Sequence, residues 1–154
     1  MASEKITVLY VDDEENNLVS FIATFRIKYQ VFTAISGAEA LKILADHPIM
    51  IIITDQRMPG MTGVDFLGQV LEKYPDPVRI LLTGYADMGA VVDAINKGKI
   101  FHYLTKPWNE DEVKQTINNA YEKYLENKTL KDTNDKLAVS NDQLEFMLRQ
   151  KLLS

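Results

Sequence analysis

Residues 6–13, ITVLYVDD, form a near-continuous apolar run, rich in β-branched residues, that ends in two carboxylates. Such a run is typical of a parallel strand that is buried on both faces. Three later apolar runs, 50–54, 78–82 and 101–105, are each followed by a polar residue, namely Asp55, Thr83 and Lys106. Because the carboxyl ends of parallel strands lie on one edge of a sheet, we expect these polar groups to converge there.

Helix-like segments alternate with these strands and with a further strand predicted at 30–35. Residues 14–27 have apolar side chains at helical spacing, and we expect Leu18, Val19, Ile22 and Phe25 to face the core. Ser36 and Asn109 are placed as helix N-caps, because each precedes a helical pattern with acids in its first turn. Five strand–helix units with short connections predict an α/β fold in which a parallel sheet lies between two layers of helices.

The converging groups have a chemistry of their own. Asp12, Asp13 and Asp55 are three carboxylates that repel one another unless a cation lies among them. Oxygen ligands with a nearby ammonium, here that of Lys106, suit Mg²⁺ and a phosphoryl group. Simpler interpretations remain open: the Asp12-Asp13 pair could cap the following helix, and Lys106 could be a solvated loop residue.

Composition limits the classes of protein that fit. The 154 residues have room for one domain and an appendage, and 46% apolar and 25% charged residues are typical of a globular protein. A net charge of −5 argues against a nucleic-acid surface on this segment, and the absence of cysteine excludes disulfides and thiolate metal sites. The sequence begins without a signal-peptide pattern and its apolar runs are far too short for a membrane span, so we expect a cytoplasmic location.

Four motifs surround the polar residues: VDDE at 11–14, TDQRMPGMTG at 54–63, LTGY at 82–85 and YLTKP at 103–107. With these motifs in this order, the chain resembles the CheY-like receiver domain of two-component response regulators. The resemblance implies a flavodoxin-like (βα)5 doubly wound parallel sheet in the order 2-1-3-4-5. In that order, the switch point lies between strands 1 and 3, which end at Asp12, Asp13 and Asp55.

The resemblance also implies a role for each site residue. Asp55 is the phosphoacceptor and takes a phosphoryl group from a phosphohistidine of a sensor histidine kinase or phosphotransfer protein. Asp13 binds Mg²⁺ directly, Asp12 binds it directly or through water, and Asp55 and the backbone carbonyl of Arg57 complete the protein ligands.

Three further roles concern Lys106, Thr83 and Tyr103. The resemblance implies that Lys106 pairs with the phosphoryl oxygens, or with Asp55 in their absence, and precedes a cis peptide bond to Pro107. It implies that Thr83 donates its hydroxyl to the phosphate, and that Tyr103 reorients in step. An aromatic residue in a strand is equally expected to be core, so the role of Tyr103 stays open.

The protein is accordingly interpreted as a phosphorylation-controlled signalling switch, with no enzymatic activity beyond its own phosphorylation and dephosphorylation. One alternative is a Mg²⁺-dependent phosphohydrolase with an aspartyl nucleophile, although Glu14 stands where such enzymes of the haloacid-dehalogenase kind carry a second Asp. Another alternative is a structural dimerisation module. His47 and His102 are expected at the surface or in packing, and the sequence does not decide between packing and an interface for Trp108.

The tail has a different composition, which divides the chain into a receiver at 1–125 and a helical linker at 126–154. It lacks glycine and proline and repeats leucine every seven residues, at Leu130, Leu137 and Leu144. If these are d positions, the a positions are Asn127, Asn134, Asn141 and Leu148, a pattern that favours a weak parallel two-stranded coiled coil and hence a homodimer. A solvated helical linker is the alternative.

The tail holds no output motif. The motifs of the receiver resemble those of receivers fused to cyclic-dinucleotide phosphodiesterases, nucleotide cyclases or hydrogenase-type transcriptional activators, and the sequence does not choose among these outputs.

Overall fold

The computed structural model describes the backbone of residues 5–153 and the side chains of residues 5–84 and 86–131. Its strands are β1 (Thr7–Val11), β2 (Gln30–Ala34), β3 (Ile51–Asp55), β4 (Val78–Thr83) and β5 (His102–Thr105). Its helices are α1 (Glu15–Phe25), α2 (Gly37–Asp46), α3 (Gly63–Lys73), α4 (Met88–Asn96) and α5 (Glu110–Leu153), with a short 3-10 helix at Tyr85–Asp87. The strands form one parallel sheet in the order β2-β1-β3-β4-β5, which confirms the predicted fold and strand order.

The sheet separates two apolar cores. Alternate residues of the strands point to opposite faces, so Val8, Tyr10, Ile51 and Ile53 pack with α1 and the first turns of α5. Leu9 and the other residues of opposite parity pack with α2, α3 and α4 on the second face. Because both faces are covered, the three central strands are apolar almost throughout.

The core face of α1 differs from the prediction at Val19 and Ile22, of which the second is only half-buried, and at Phe21, which was not predicted. Leu18, Phe21 and Phe25 are its buried residues, whereas Val19 is 60% exposed. Spacings of three and four residues bring Leu18, Phe21 and Phe25 onto one stripe of the helix. Val19 lies about 100° around the helix from Leu18 and therefore outside that stripe. The prediction followed apolarity at Val19 and overlooked Phe21.

Side-chain caps fix the starts of three helices. The Ser36 hydroxyl accepts a hydrogen bond from the Glu39 N–H, and the Asn109 side chain accepts one from the Glu112 N–H, both at 3.1 Å. These two caps are the ones the sequence predicts. Thr62 caps α3 in the same way by accepting from the Asp65 N–H at 3.1 Å.

Helix α5 runs without interruption from Glu110 to Leu153, as the absence of glycine and proline predicts. Contacts divide the chain into one compact unit that ends at Tyr124 and a second that begins at Leu125. In the second unit, the Leu130 side chain is 55% exposed, and Asn127, the first predicted a position, is exposed as well. The remaining residues assigned to the heptad core, Asn134, Leu137, Asn141, Leu144 and Leu148, lie outside the described side chains, so the coiled coil stays a prediction. Within the described part of the chain, no helix is long and apolar enough to cross a membrane.

Gly63 is the point of closest approach between α3 and the sheet. Its N–H donates to the Gln56 carbonyl at 2.9 Å, and a Cβ atom built on it would collide with the Asp55 carbonyl oxygen and lie 2.8 Å from Leu81 Cδ1. The space between the end of β3 and the start of α3 therefore admits only glycine.

We expect Gly63→Ala to lower the free energy of unfolding by about 1–3 kcal/mol, because the backbone carbonyl that it meets cannot move aside. Gly89→Ala is the matched control, since Gly89 is exposed in α4 and nothing lies within 4 Å of the position that a Cβ atom would take there. The control should be neutral or stabilise the protein by up to about 1 kcal/mol. Urea unfolding of both variants measures the difference, and equal stabilities would contradict the close approach.

Candidate functional site

Backbone hydrogen bonds hold the polar residues at the carboxyl edge of the sheet. The Asp12 N–H donates to the Ala34 carbonyl at 3.1 Å, just past the end of β1. In the same way the Lys106 N–H, past the end of β5, donates to the Thr83 carbonyl at 3.0 Å. The parallel ladder thus extends one residue beyond these strands and fixes the backbone positions of Asp12 and Lys106.

The three predicted acids meet at this edge. Carboxylate oxygens of Asp12, Asp13 and Asp55 all lie within 4.8 Å of one another. Lys106 Nζ lies 2.7 Å from Asp55 Oδ1, with the Asp55 side chain 5% exposed and that of Lys106 38% exposed. The sequence-based expectation that these four residues converge is therefore correct.

The balance of charge at Asp55 is unfavourable to its ionised form. Burial raises the pKa of the Asp55 carboxyl above its usual range, and the negative charge of Asp12 acts in the same direction. The hydrogen bond and charge of Lys106 oppose this effect and lower the pKa, but they do not reverse it. A further positive charge in the cluster would therefore stabilise the ionised acid.

The donor set fits a hard divalent cation. Three carboxylates that lie close together, one of them solvent-accessible at Asp13, offer the oxygen ligands that Mg²⁺ prefers. A pocket of about 250 Å³ opens at Asp55 and is lined by Asp55, Arg57, Gly84, Ala86, Asp87 and Lys106. The pocket leaves room beside the Asp55 carboxylate for a small anion such as a phosphoryl group.

Asp12 is the most enclosed acid of the cluster and is 0% exposed. Its Oδ1 accepts from the Glu14 N–H at 2.9 Å, so Asp12 supports the turn into α1 as well as joining the acidic cluster. Its Oδ2 accepts from the Tyr10 hydroxyl and from the Asn17 amide, each at 3.0 Å. Burial, followed by the charge of Asp12, raises the pKa of Tyr10 well above its usual value, so this phenol remains a neutral donor.

The sequence analysis missed Tyr10 and Asn17. Tyr10 precedes Asp12 by two residues in an extended segment, and the two-residue period of a strand places both side chains on one face. Asn17 lies in the first turn of α1. These spacings were the signals that could have found them, but Tyr10 was counted only as part of an apolar run.

Thr83 is buried, at 1% exposure, and its hydroxyl lies 3.2 Å from the Gly84 carbonyl oxygen and 3.4 Å from Asp87 Oδ2. The same Asp87 oxygen accepts from Arg57 Nε at 3.1 Å. The Arg57 side chain is 72% exposed, so solvent screens this ion pair. Asp87, which the sequence analysis also missed, thus connects Thr83 to the loop that follows Asp55.

The remaining aromatic and histidine residues have packing contacts. Tyr103 is half-buried against the core formed with α2, α3 and α4, and its ring lies 5.7 Å from that of His102. His47 packs on Phe32 with ring centroids 4.8 Å apart, in agreement with the expected packing role. The Trp108 ring packs on Phe25 at 5.4 Å and on Phe21 at 6.1 Å, so the structure shows a packing role for it. The Lys106–Pro107 peptide bond is cis, as the resemblance implied.

Comparison with known proteins agrees with this geometry. Residues 8–118 match the family model of the response regulator receiver domain. The hydrogenase transcriptional regulatory protein HoxA of Cupriavidus necator is 38% identical over 122 residues, which are 79% of this chain and 25% of HoxA. The chain therefore spans about a quarter of the length of this relative.

Solved structures are also similar. The adenylate cyclase structure from Rhodopirellula baltica superposes with a TM-score of 0.82 at 30% identity, over 86% of this chain and 98% of that one. The response regulator TrrA of Thermotoga maritima, in complex with Mg²⁺-BeF, gives a TM-score of 0.67 at 29% identity, over 75% of this chain and 98% of that one. With the family model, the strand order and the converging acids in agreement, this chain belongs to the receiver domain family of two-component response regulators.

Proposed function

We propose that this receiver is phosphorylated on Asp55 by a sensor histidine kinase or a phosphotransfer protein, in a Mg²⁺-dependent reaction. The observation that carries the proposal is the 2.7 Å contact of Lys106 Nζ with Asp55 Oδ1 beside two further carboxylates. The Asp55 carboxylate lines a small pocket together with the Lys106 ammonium. The nearby carboxylates of Asp12 and Asp13 would bind a cation. The alternatives of a phosphohydrolase and of a purely structural module lack a comparable observation.

In the proposed reaction, a carboxylate oxygen of Asp55 attacks the phosphorus of a phosphohistidine. A bond between oxygen and phosphorus forms, the bond between phosphorus and the imidazole nitrogen breaks, and the electron pair stays on the imidazole. The Lys106 ammonium moves from the Asp55 carboxylate to the oxygens of the phosphoryl group and neutralises part of their charge. Asp12, Asp13, Asp55 and the backbone carbonyl of Arg57 would hold Mg²⁺, which when bound supplies positive charge to the transferred group.

The conformational signal would begin at Thr83. To donate its hydroxyl to a phosphoryl group on Asp55, Thr83 gives up its contacts with the Gly84 carbonyl and with Asp87 Oδ2. We propose that Tyr103, which is half-buried on the adjacent edge strand, then reorients. Once the Thr83 contact is lost, Arg57 is the remaining side-chain partner of the Asp87 carboxylate among the described residues.

The attached tail is proposed as the route to the output. Residues 126–154 would pair in parallel through the leucine repeat as a homodimer, with residues 1–125 as the receiver. Since the relatives include a hydrogenase transcriptional regulator and an adenylate cyclase, receivers similar to this one serve more than one type of output. A cytoplasmic location, without membrane contact or direct nucleic-acid binding by this segment, stays a prediction of the sequence.

The first prediction concerns the phosphoacceptor. Incubation with Mg²⁺ and a small phosphodonor such as acetyl phosphate should add one phosphoryl group, and Asp55→Asn should abolish the addition because the amide is a poor nucleophile. Asp46→Asn, at an exposed acid in the last turn of α2, is the matched control and should be labelled like the wild type. Intact-protein mass spectrometry measures the added group, and equal labelling of the Asp55→Asn variant would refute the assignment.

The second prediction concerns the metal. Mg²⁺ should raise the melting temperature, because it offsets the repulsion among the three clustered carboxylates. Asp13→Ala should remove most of this Mg²⁺-dependent increase, while Asp46→Ala should retain it. Differential scanning fluorimetry across a Mg²⁺ titration distinguishes these outcomes. An undiminished increase in Asp13→Ala would rule out Asp13 as a direct ligand.

The third prediction concerns the tail. Light scattering should show a dimer that is lost on Leu137→Glu, which places a charge at a d position of the predicted seam. Val139→Glu, at the f position of the same heptad, introduces the same charge away from the seam and should leave the dimer intact. Truncation after Glu126 should give a monomer. A wild-type monomer at high concentration, whether phosphorylated or not, would identify the tail as a solvated linker.

A further inference from the structure

We propose that Tyr10 and Asn17 are positioning residues for the metal site: their hydrogen bonds hold the buried Asp12 carboxylate in the one orientation in which it contributes to cation binding. The inference rests on the proposed Mg²⁺ site. It assigns a role to a tyrosine hydroxyl that is buried within the apolar core and to an amide on the first turn of α1.

The Asp12 carboxylate accepts three hydrogen bonds from β1 and from the start of α1. Oδ1 accepts from the Glu14 N–H at 2.9 Å, while Oδ2 accepts from the Tyr10 hydroxyl and the Asn17 amide, both at 3.0 Å. A carboxylate has about four lone-pair sites, so three donors restrict its rotation and leave about one site for a cation. Asp12 therefore presents a fixed charge to the cluster, in contrast to the solvent-accessible Asp13.

Packing holds the Tyr10 ring in place. Tyr10 is 1% exposed, and its ring is stacked on that of Phe21 with centroids 4.2 Å apart and an angle of 2° between the planes. Phe21 in turn packs against Phe25 and Trp108. Because the ring is buried and stacked, its packing keeps the hydroxyl within hydrogen-bond distance of Asp12 Oδ2.

Tyr29 is a natural comparison for Tyr10, because it is buried in the same aromatic cluster but its hydroxyl does not bind the acidic cluster. It is also 1% exposed and lies at the far end of the same aromatic cluster, 6.1 Å from Phe25. Its hydroxyl, however, has no hydrogen-bond partner among the described residues. The two tyrosines are thus equally buried, and only the hydroxyl of Tyr10 contacts a member of the acidic cluster.

Outer hydrogen bonds of this kind orient metal ligands before the ion arrives. Removing such a partner typically weakens metal binding by roughly 10–100-fold, because part of the binding free energy is then spent on ordering the ligand. Tyr10→Phe deletes a single oxygen atom and keeps the stacked ring. Asn17→Ala deletes the second donor at a partly exposed position, where the fold depends on it less.

The test is a Mn²⁺ titration of the full chain followed by electron paramagnetic resonance, which counts free ions directly and needs no phosphorylation. Tyr10→Phe should bind Mn²⁺ about tenfold more weakly than wild type, whereas Tyr29→Phe should bind it as wild type does. Asn17→Ala should also weaken binding, and Asn16→Ala, an exposed neighbour on the same helix turn, should not. Thermal unfolding without metal should show all four variants folded.

The outcomes separate the competing explanations. Equal Mn²⁺ affinity of Tyr10→Phe and wild type would overturn the role of Tyr10, and an equal loss in Tyr29→Phe would show that packing and not the hydroxyl is responsible. If Tyr10→Phe does not fold, the comparison of Asn17→Ala with Asn16→Ala decides, and equal affinities there overturn the proposal. Failure of the wild type to bind Mn²⁺ would refute the metal site and the positioning role together, whereas normal wild-type binding with unaffected variants refutes the positioning role alone.

Discussion

The structure depends on one feature of its parallel sheet: the ends of the strands bring several carboxylates together, and their negative charges repel. Three carboxylates brought within 4.8 Å of one another repel, and the low polarity of the surrounding core strengthens that repulsion. Lys106 offsets part of it through its 2.7 Å contact with Asp55, but burial still raises the Asp55 pKa. The sheet therefore creates a site whose negative charge is incompletely balanced, and a bound cation would complete that balance.

The surroundings of the site are asymmetric. On the side of β1 and α1, Asp12 is fixed by three donors, with an aromatic cluster behind Tyr10. On the side of β4, the Thr83 hydroxyl lies 3.2 Å from the Gly84 carbonyl oxygen and 3.4 Å from Asp87 Oδ2, and Asp87 also pairs with the exposed Arg57. The hydrogen bonds of the first side are 2.9–3.0 Å long and buried or part-buried, whereas those of the second side are 3.1–3.4 Å long and part-buried or exposed to solvent. The geometry thus combines a rigid binding half with a half that can exchange partners.

Much of this was predictable because it follows from local chemistry. The apolar runs gave the strands, the residues after them gave Asp12, Asp13, Asp55 and Lys106, and Ser36 and Asn109 gave two helix starts. Local patterns were less reliable where two apolar residues competed for one helix face, as with Val19 and Phe21 in α1. A helix of 11 residues carries more apolar side chains than its core stripe holds, and only the packed partner decides which are buried.

By itself, the sequence determined the α/β class, the edge of the sheet where polar groups meet, and the family resemblance, since these depend on order and spacing along the chain. The tertiary structure alone decided that Trp108 packs on Phe21 and Phe25, and that Asp87, a neighbour of Thr83, pairs with Arg57, which lies 30 residues before Asp87 in the chain. These contacts depend on which helices cover which face of the sheet and at what distance, and no spacing within a single segment encodes that arrangement.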